Sequence, residues 1–178
     1  MTRSCTRLLL LLATLALAAC ATVDRSAAPA LSGKALWVVL PFANHTETPL
    51  AGSRAEAIAE GLLHSHGIAR VRRYPAVLQQ DALFEPADGK QADAALAWAR
   101  EQGARYALTG SVDEWRYKVG VDGEPAVGVA LAIVDVGSGE TLWRGVGGKS
   151  GWSREALSAV AQQLLRSLLA DGLAARQD

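Results

Sequence analysis

"RYALTGSVDEWRYKVGVDGEPAVGVALAIVDVGSGETLWRGVGGKSG", Arg105 to Gly151, decides the fold. Three alternating apolar runs, Arg105–Val119, Ala126–Val136 and Thr141–Gly151, are parted by "GVDGEP" and "GSGE". Turn residues between runs of period two predict antiparallel hairpins. Immediately after them, "WSREALSAVAQQLLRSLLADGL" carries Leu157, Val160, Ala161, Leu164, Leu165, Leu168 and Leu169 at helical spacing. That is one apolar stripe, and it predicts a helix lying on the three strands.

Upstream, the pattern changes. "ALWVVLP" is apolar throughout, as a strand covered on both faces must be. Ala55, Ile58, Ala59, Leu62 and Leu63 then recur with helical period until Gly67. Thr48-Pro49 offers one cap-and-start, and "SRAE" from Ser53 offers a capping box one turn later. "IARVRRY" reads as a short strand, "PAVLQQDALFEPADG" as a helical turn and loop, and "KQADAALAWAREQG" as a helix on Ala92, Ala95, Leu96 and Ala99. The order β-α-β-α-β-β-β-α predicts an α/β (α+β) fold, a mixed sheet with flanking helices, in a single domain over residues 34–178.

The N-terminus has another character. Arg3 and Arg7 precede an apolar run, Leu8 to Ala19, that ends in "LAAC". A basic start, a short apolar centre and small residues before a cleavage point make a secretory signal over residues 1–19. As a helix the run spans roughly 18 Å against a hydrocarbon core of about 30 Å, too short for a transmembrane span. "LAAC" resembles the lipobox of bacterial lipoproteins, which makes Cys20 the lipidated N-terminal residue of the mature chain. Ala21 in second place resembles lipoproteins sent to the outer membrane, where bound acyl chains anchor the chain on the periplasmic face. Cys5 leaves with the signal, so no disulfide framework and no thiol nucleophile remain. "ATVDRSAAPALSG", with Cys20 the stretch 20–33, reads as a flexible tether.

Removing the first 19 of 178 residues leaves 159, enough for one domain with a real core, carrying 16 basic and 18 acidic residues. With no polybasic run, nucleic-acid binding has no electrostatic footprint. "GVGGKS" lacks the first glycine of a phosphate loop, whose place Trp143 holds; it reads as a glycine-rich strand end or bulge. His64 and His66 point apart on a helix, and His45 with Glu47 finds no third ligand nearby, so no metal site is expected. "GKSGW" falls one residue short of a nucleophile elbow, and Asp113 and Glu114 are adjacent and face opposite ways on a strand. The loop "FANHTETPLAG" after the first strand reads as structural, with Asn44 and Thr46 satisfying backbone groups; a partner or subunit contact is the alternative.

"WVVLPFANHTETPLAG", "TGSVDEWRYKVGVDGEPAVGVAL" and "GWSRE", on a lipoprotein of this length, resemble the PelC family of outer-membrane lipoproteins of Pel exopolysaccharide export. The resemblance runs from about Trp37 to Leu169. The "VLPF" opening is shared with the N-terminal domain of TolB and with curli-secretion and penicillin-binding-protein-activator lipoproteins, so it marks the fold. With no catalytic constellation in the sequence, no enzyme and no cofactor are expected. The family implies a closed homo-oligomeric ring whose acidic funnel draws a cationic polysaccharide toward an outer-membrane porin, PelB, and whose aromatic side chains seat it against the bilayer. Carried onto this chain, Asp122, with Glu124 on the same hairpin, is the funnel acid, and Trp152 is the membrane-facing aromatic. Each has a plain structural reading beside it. Asp122-Gly123 simply makes the turn, and Trp152 with Leu157 flanks a Ser153 cap as a hydrophobic staple. Trp115 and Tyr117 share one strand face as core or subunit interface. The competing functions are a lipoprotein activator of a peptidoglycan synthase and a periplasmic glycan hydrolase. A thirteen-residue tether reaches at most roughly 45 Å, which disfavours the activator.

Overall fold

The protein is described by a computed structural model covering residues 21–80, 90–120 and 123–175. Along the chain these form β1 (Ala21–Arg25), β2 (Leu36–Asn44), α1 (Ala51–Ser65), β3 (Arg70–Arg73), α2 (Ala76–Gln80), α3 (Lys90–Glu101), β4 (Tyr106–Tyr117), β5 (Pro125–Asp135), β6 (Thr141–Ser150) and α4 (Leu157–Gly172). The strands join one mixed sheet in the order β1-β6-β5-β4-β2-β3. β2 is parallel to both β3 and β4, through helical crossovers, while β4, β5, β6 and β1 are antiparallel.

The predicted hairpins and the mixed α/β class are present. β5 shows why its sequence reads so cleanly: it alternates between buried residues, such as Val127, Val129, Leu131 and Ile133, and half-buried small ones such as Gly128, Ala130 and Ala132. The buried set meets α1 and α4 in the main core, with Trp37, Val39, Leu63, Leu108, Trp143, Leu164, Leu165 and Leu168. α3 covers part of the opposite face through Ala95 and Ala99, against Val38, Leu40, Ala107 and Val136. Farther along that face Val146 is left 49% exposed.

Two irregularities set where side chains point. Val112 and Trp115 lie three apart, which in a regular strand puts them on opposite faces. A bulge between Val112 and Glu114 returns both to the core and turns Asp113 outward. In β6 the glycines of "GVGGKS" admit the helix: a Cβ on Gly145 would lie 2.5 Å from the Trp143 ring and 3.1 Å from Leu168. The glycine-rich motif is therefore a packing surface within a strand.

The stretch 21–33 differs from its reading as a flexible tether. β1 pairs with β6 from Ala21↔Lys149 to Arg25↔Gly145. Beyond it, the Ser26 N–H donates to the Arg144 carbonyl at 2.9 Å. Leu31 is buried in the main core, and the Trp37 indole donates to the Ser32 carbonyl at 3.1 Å. The pairing is invisible locally because its partner lies more than a hundred residues away, and "ATVDR" has one aliphatic branched residue, Val23, to turn inward. Among the described residues the fold thus reaches back to Ala21, ahead of the expected start at residue 34. The proposed signal, residues 1–19, and Cys20 lie outside the described residues.

Both helix starts also differ from expectation. α1 is preceded by Leu50 in the left-handed conformation (φ 61°) with no side-chain cap. Thr48 lies two residues before that position, and its hydroxyl is turned to β4, donating to the Trp115 carbonyl at 2.6 Å. α4 begins at Leu157 after Ala156, so Ser153 does not cap it and the staple reading of Trp152 fails.

Candidate functional site

β2 ends opposite Val112, but β4 runs on five residues to Tyr117, roughly 17 Å at strand rise. The antiparallel strands therefore project past β2 as a ledge. The loop after β2 supports it from below. Asn44 donates from Nδ2 to the Thr48 carbonyl at 2.9 Å, while its Oδ1 accepts from the Thr46 N–H and hydroxyl. Thr48 then ties the loop to Trp115 in the ledge. His45 Nδ1 lies 2.7 Å from Asp113 Oδ1, both exposed. The loop after β2 is therefore a bracket, as its Asn and Thr content suggested.

Four segments meet at the end of the ledge. The β4–β5 hairpin closes with the Lys118 N–H donating to the Glu124 carbonyl at 2.7 Å. The Gly151 N–H donates to the Pro125 carbonyl at 2.8 Å, which joins the loop after β6 to the hairpin. Tyr117 bridges the same two parts: its hydroxyl donates to the Glu155 carbonyl and accepts from the Leu157 N–H, both at 3.2 Å. Lys118 Nζ donates to the Ser150 hydroxyl at 2.7 Å. The fourth segment is the start of β1, with Ala21 opposite Lys149.

The surface of this end is unusual in what it leaves in solvent. Trp152 is 73% exposed, Val119 fully exposed and Tyr117 half-exposed. Trp152 is held by its backbone, its N–H donating to Glu155 Oε2 at 3.1 Å, while the indole projects. Arg154 in the same loop takes a positive φ of 68°, unusual for a residue with a Cβ. Of the residues singled out from sequence, Glu124 and Trp152 come together at this end, both exposed. Asp122 lies outside the described residues. Val119 and the start of β1 were missed: the first sits between a strand and a turn with no periodicity to mark it, and the second depends on a distant partner.

At the opposite end of the sheet, polar groups are paired. The carboxylate of Asp135 accepts from the N–H groups of Gly137 (3.0 Å) and Ser138 (3.1 Å) and meets Arg105 at 3.0 Å. The Ser138 N–H, with Arg105 and Gly137 adding to it, outweighs burial and holds this carboxyl below the usual carboxylate range. Among the described residues, no three His, Cys, Asp or Glu side chains are grouped to hold a metal ion. His64 Nδ1 lies 3.1 Å from the Ile68 carbonyl. No helix among the described residues is long and apolar enough to cross a membrane.

The whole arrangement has solved counterparts. The PelC dodecamer of Paraburkholderia phytofirmans is 44% identical to this chain, with a TM-score of 0.74 over 88% of this chain and 99% of that one. The chain belongs to the PelC family. A form of the same dodecamer carrying a single leucine-to-methionine substitution matches at 44% identity and a TM-score of 0.73, over 85% of this chain and 96% of that one. Lipoprotein GNA1162 of Neisseria meningitidis shares the fold at 18% identity and a TM-score of 0.53, over 76% and 95% of the two chains. No protein-family model and no curated protein matches the chain.

Proposed function

We propose that this PelC-family chain is a non-catalytic lipoprotein of an exopolysaccharide (Pel) secretion system, lipidated on Cys20 and held on the periplasmic face of the outer membrane. It assembles as a homo-oligomeric ring, and the acids of its β4–β5 hairpin, Asp122 and Glu124, guide a cationic polysaccharide toward an outer-membrane porin of the PelB kind. Trp152 faces the bilayer. The observation that carries this reading is 44% identity across nearly the whole of a chain named as a PelC dodecamer.

The physical reason for a ring is repetition. One hairpin acid is trivial in water, but many around a narrow mouth with low-dielectric walls focus their field and concentrate a polycation there. Glu124 is exposed on the projecting ledge, where such a rim needs it. The test is complementation in a Pel-producing bacterium lacking its own copy. The wild-type chain is expected to restore polymer secretion, and Asp122→Lys with Glu124→Lys to abolish it while the oligomer survives in native mass measurement. Secretion unaffected by that charge reversal overturns the funnel, and a strictly monomeric wild-type chain overturns the ring.

A further inference from the structure

β5 runs from Pro125 to Val134, "PAVGVALAIV", without a polar side chain. A strand with one face in water alternates apolar with polar, whereas a strand with no polar position is covered on both faces. Val127, Val129, Leu131 and Ile133 account for the core face. Gly128, Ala130, Ala132 and Val134 form the outer row, all half-buried. On that side α3 packs over Leu40, Ala107 and Val136, with Val134 against the same cluster. Among the described residues no helix packs on the rest of the row. Val146, beside Ala130 in the ladder, is 49% exposed. A Cβ on Gly148 would meet nothing nearer than the Val127 carbonyl oxygen at 3.9 Å. The sequence of β5 calls for a second cover that its own chain does not supply.

The ladder registers lay out what surrounds that row. Ser111 of β4, Ala130 of β5, Val146 of β6 and Asp24 of β1 stand side by side. Toward the ledge the next row is Glu114, Gly128, Gly148 and Thr22, and in the other direction Thr109, Ala132 and Arg144 align. The middle of the face is apolar, and the charged groups stand around it. Two hollows flank it. One of about 450 Å³ lies beside Ala130 and Val146, bounded by Asp24, Ser26 and Arg144. The other, of about 570 Å³, opens where the cover of α3 ends, between Leu96, Leu40 and Thr109. An apolar centre with a charged rim, shaped to receive side chains, is the anatomy of a contact between proteins.

We propose that this open face of the sheet, centred on Ala130 and Val146, is a subunit contact, covered by a different patch of the neighbouring copy in the ring. The inference rests on the ring reading and adds to it which face each copy gives to its neighbour. A dodecamer solved for a chain 44% identical, over 99% of that chain, makes a second copy the occupant. The face carries no aromatic ring for a sugar to stack on, which disfavours the polymer. A ring closed by one repeated contact joins two unlike patches, so this face meets another surface and not itself. β5 then lies between two apolar layers, its own α1 and α4 on one side and the neighbour on the other, and that is why it has no polar position.

The experiment uses the full chain, processed in a lipoprotein-producing bacterium and held in detergent micelles, with native mass measurement to count copies. Val146→Cys is treated with a water-soluble maleimide, and Ser138→Cys, in the exposed turn between β5 and β6, is the control. The wild-type chain is treated alongside to show that no native thiol takes label. In the oligomer, position 146 is expected to lose its reactivity while position 138 keeps it. Ala130→Arg projects a charge from the middle of the face and is expected to leave separate copies, folded by near-ultraviolet circular dichroism. Gly148→Arg, whose side chain enters open space in the single chain, is expected to do the same. In either background position 146 is expected to react freely. An Ala130→Arg copy keeps its other patch. Co-expressed with the wild type, it is expected to end incomplete arcs, each holding a single variant copy.

An oligomer in which position 146 reacts as freely as position 138 overturns the proposal and leaves the ring standing. A full oligomer formed by Ala130→Arg or by Gly148→Arg does the same. Protection at 146 that persists in separate copies places the cover within the chain and overturns the neighbour as its source. Complete rings holding several variant copies overturn the contact between unlike patches. A wild-type chain that is strictly monomeric overturns the ring reading itself.

Discussion

The two ends of this sheet solve opposite problems. At the Asp135 end, a turn reverses the chain and its buried carboxylate is satisfied on the spot: Asp135 takes two backbone N–H groups and an arginine, and Arg100 Nε donates to the Val136 carbonyl at 2.9 Å. At the Tyr117 end, backbone and hydroxyl bonds hold the hairpin and the next loop together, while Val119 and Trp152 are left in solvent. One end is finished in water. The other leaves a tryptophan and a valine in solvent, and the proposed function places its contact there.

Substitutions sharpen this contrast according to what they touch. A change in the core beneath both ends should be the most costly. Leu164→Ala, under β6, is expected to destabilise by about 2–5 kcal/mol, read as a fall in denaturant midpoint with unchanged slope. Asp135→Asn comes next, at about 1–2 kcal/mol, because one charged acceptor serves two N–H groups and a cation, the last in an exposed geometry. It has a pH signature. The folded-state pKa lies below the unfolded value near 3.9, so this stability is present above about pH 4 and is lost as pH falls through the folded pKa. The Asn variant should therefore show a flatter acid limb in denaturation between pH 5 and pH 2. A limb as steep as the wild type's would mean that another carboxylate carries it.

Smaller still is Tyr117→Phe. It removes the hydroxyl that joins the hairpin to the loop after β6 and is expected to cost about 0.5–1.5 kcal/mol. Local loosening should show as faster amide exchange at Leu157, whose N–H loses its acceptor, with little change in β2. At the bottom is Trp152→Ala, expected within about 0.5 kcal/mol of wild type by thermal melting, because the indole is in solvent. A substantial drop in melting temperature would show that Trp152 is packed in the native state, and the contrast between the two ends would collapse.

Much of this was open to a reader of the chain. β5 alternates because each face meets a different environment, and the α4 stripe is continuous because one side lies on the sheet. Short-range features that depend on competing partners were not legible. Thr48 and Ser53 are good caps in isolation, but Thr48 bonds Trp115 in a strand 67 residues away. Trp152 and Leu157 have staple spacing around Ser153, yet α4 starts later, after a turn in which Arg154 adopts a left-handed conformation. Glu124 and Trp152 could be named from sequence, but not brought to the same end.

By itself, the sequence determined what is periodic: the hairpins, the apolar helix faces and the mixed α/β class, because period two and period 3.6 are imposed residue by residue by burial on one side. The tertiary structure alone decided that β1 belongs to the sheet and that its start lies beside the Trp152 loop. Strand pairing is a contact between segments remote in the chain, and its register is fixed by the packing of the whole core rather than by the five residues that join it.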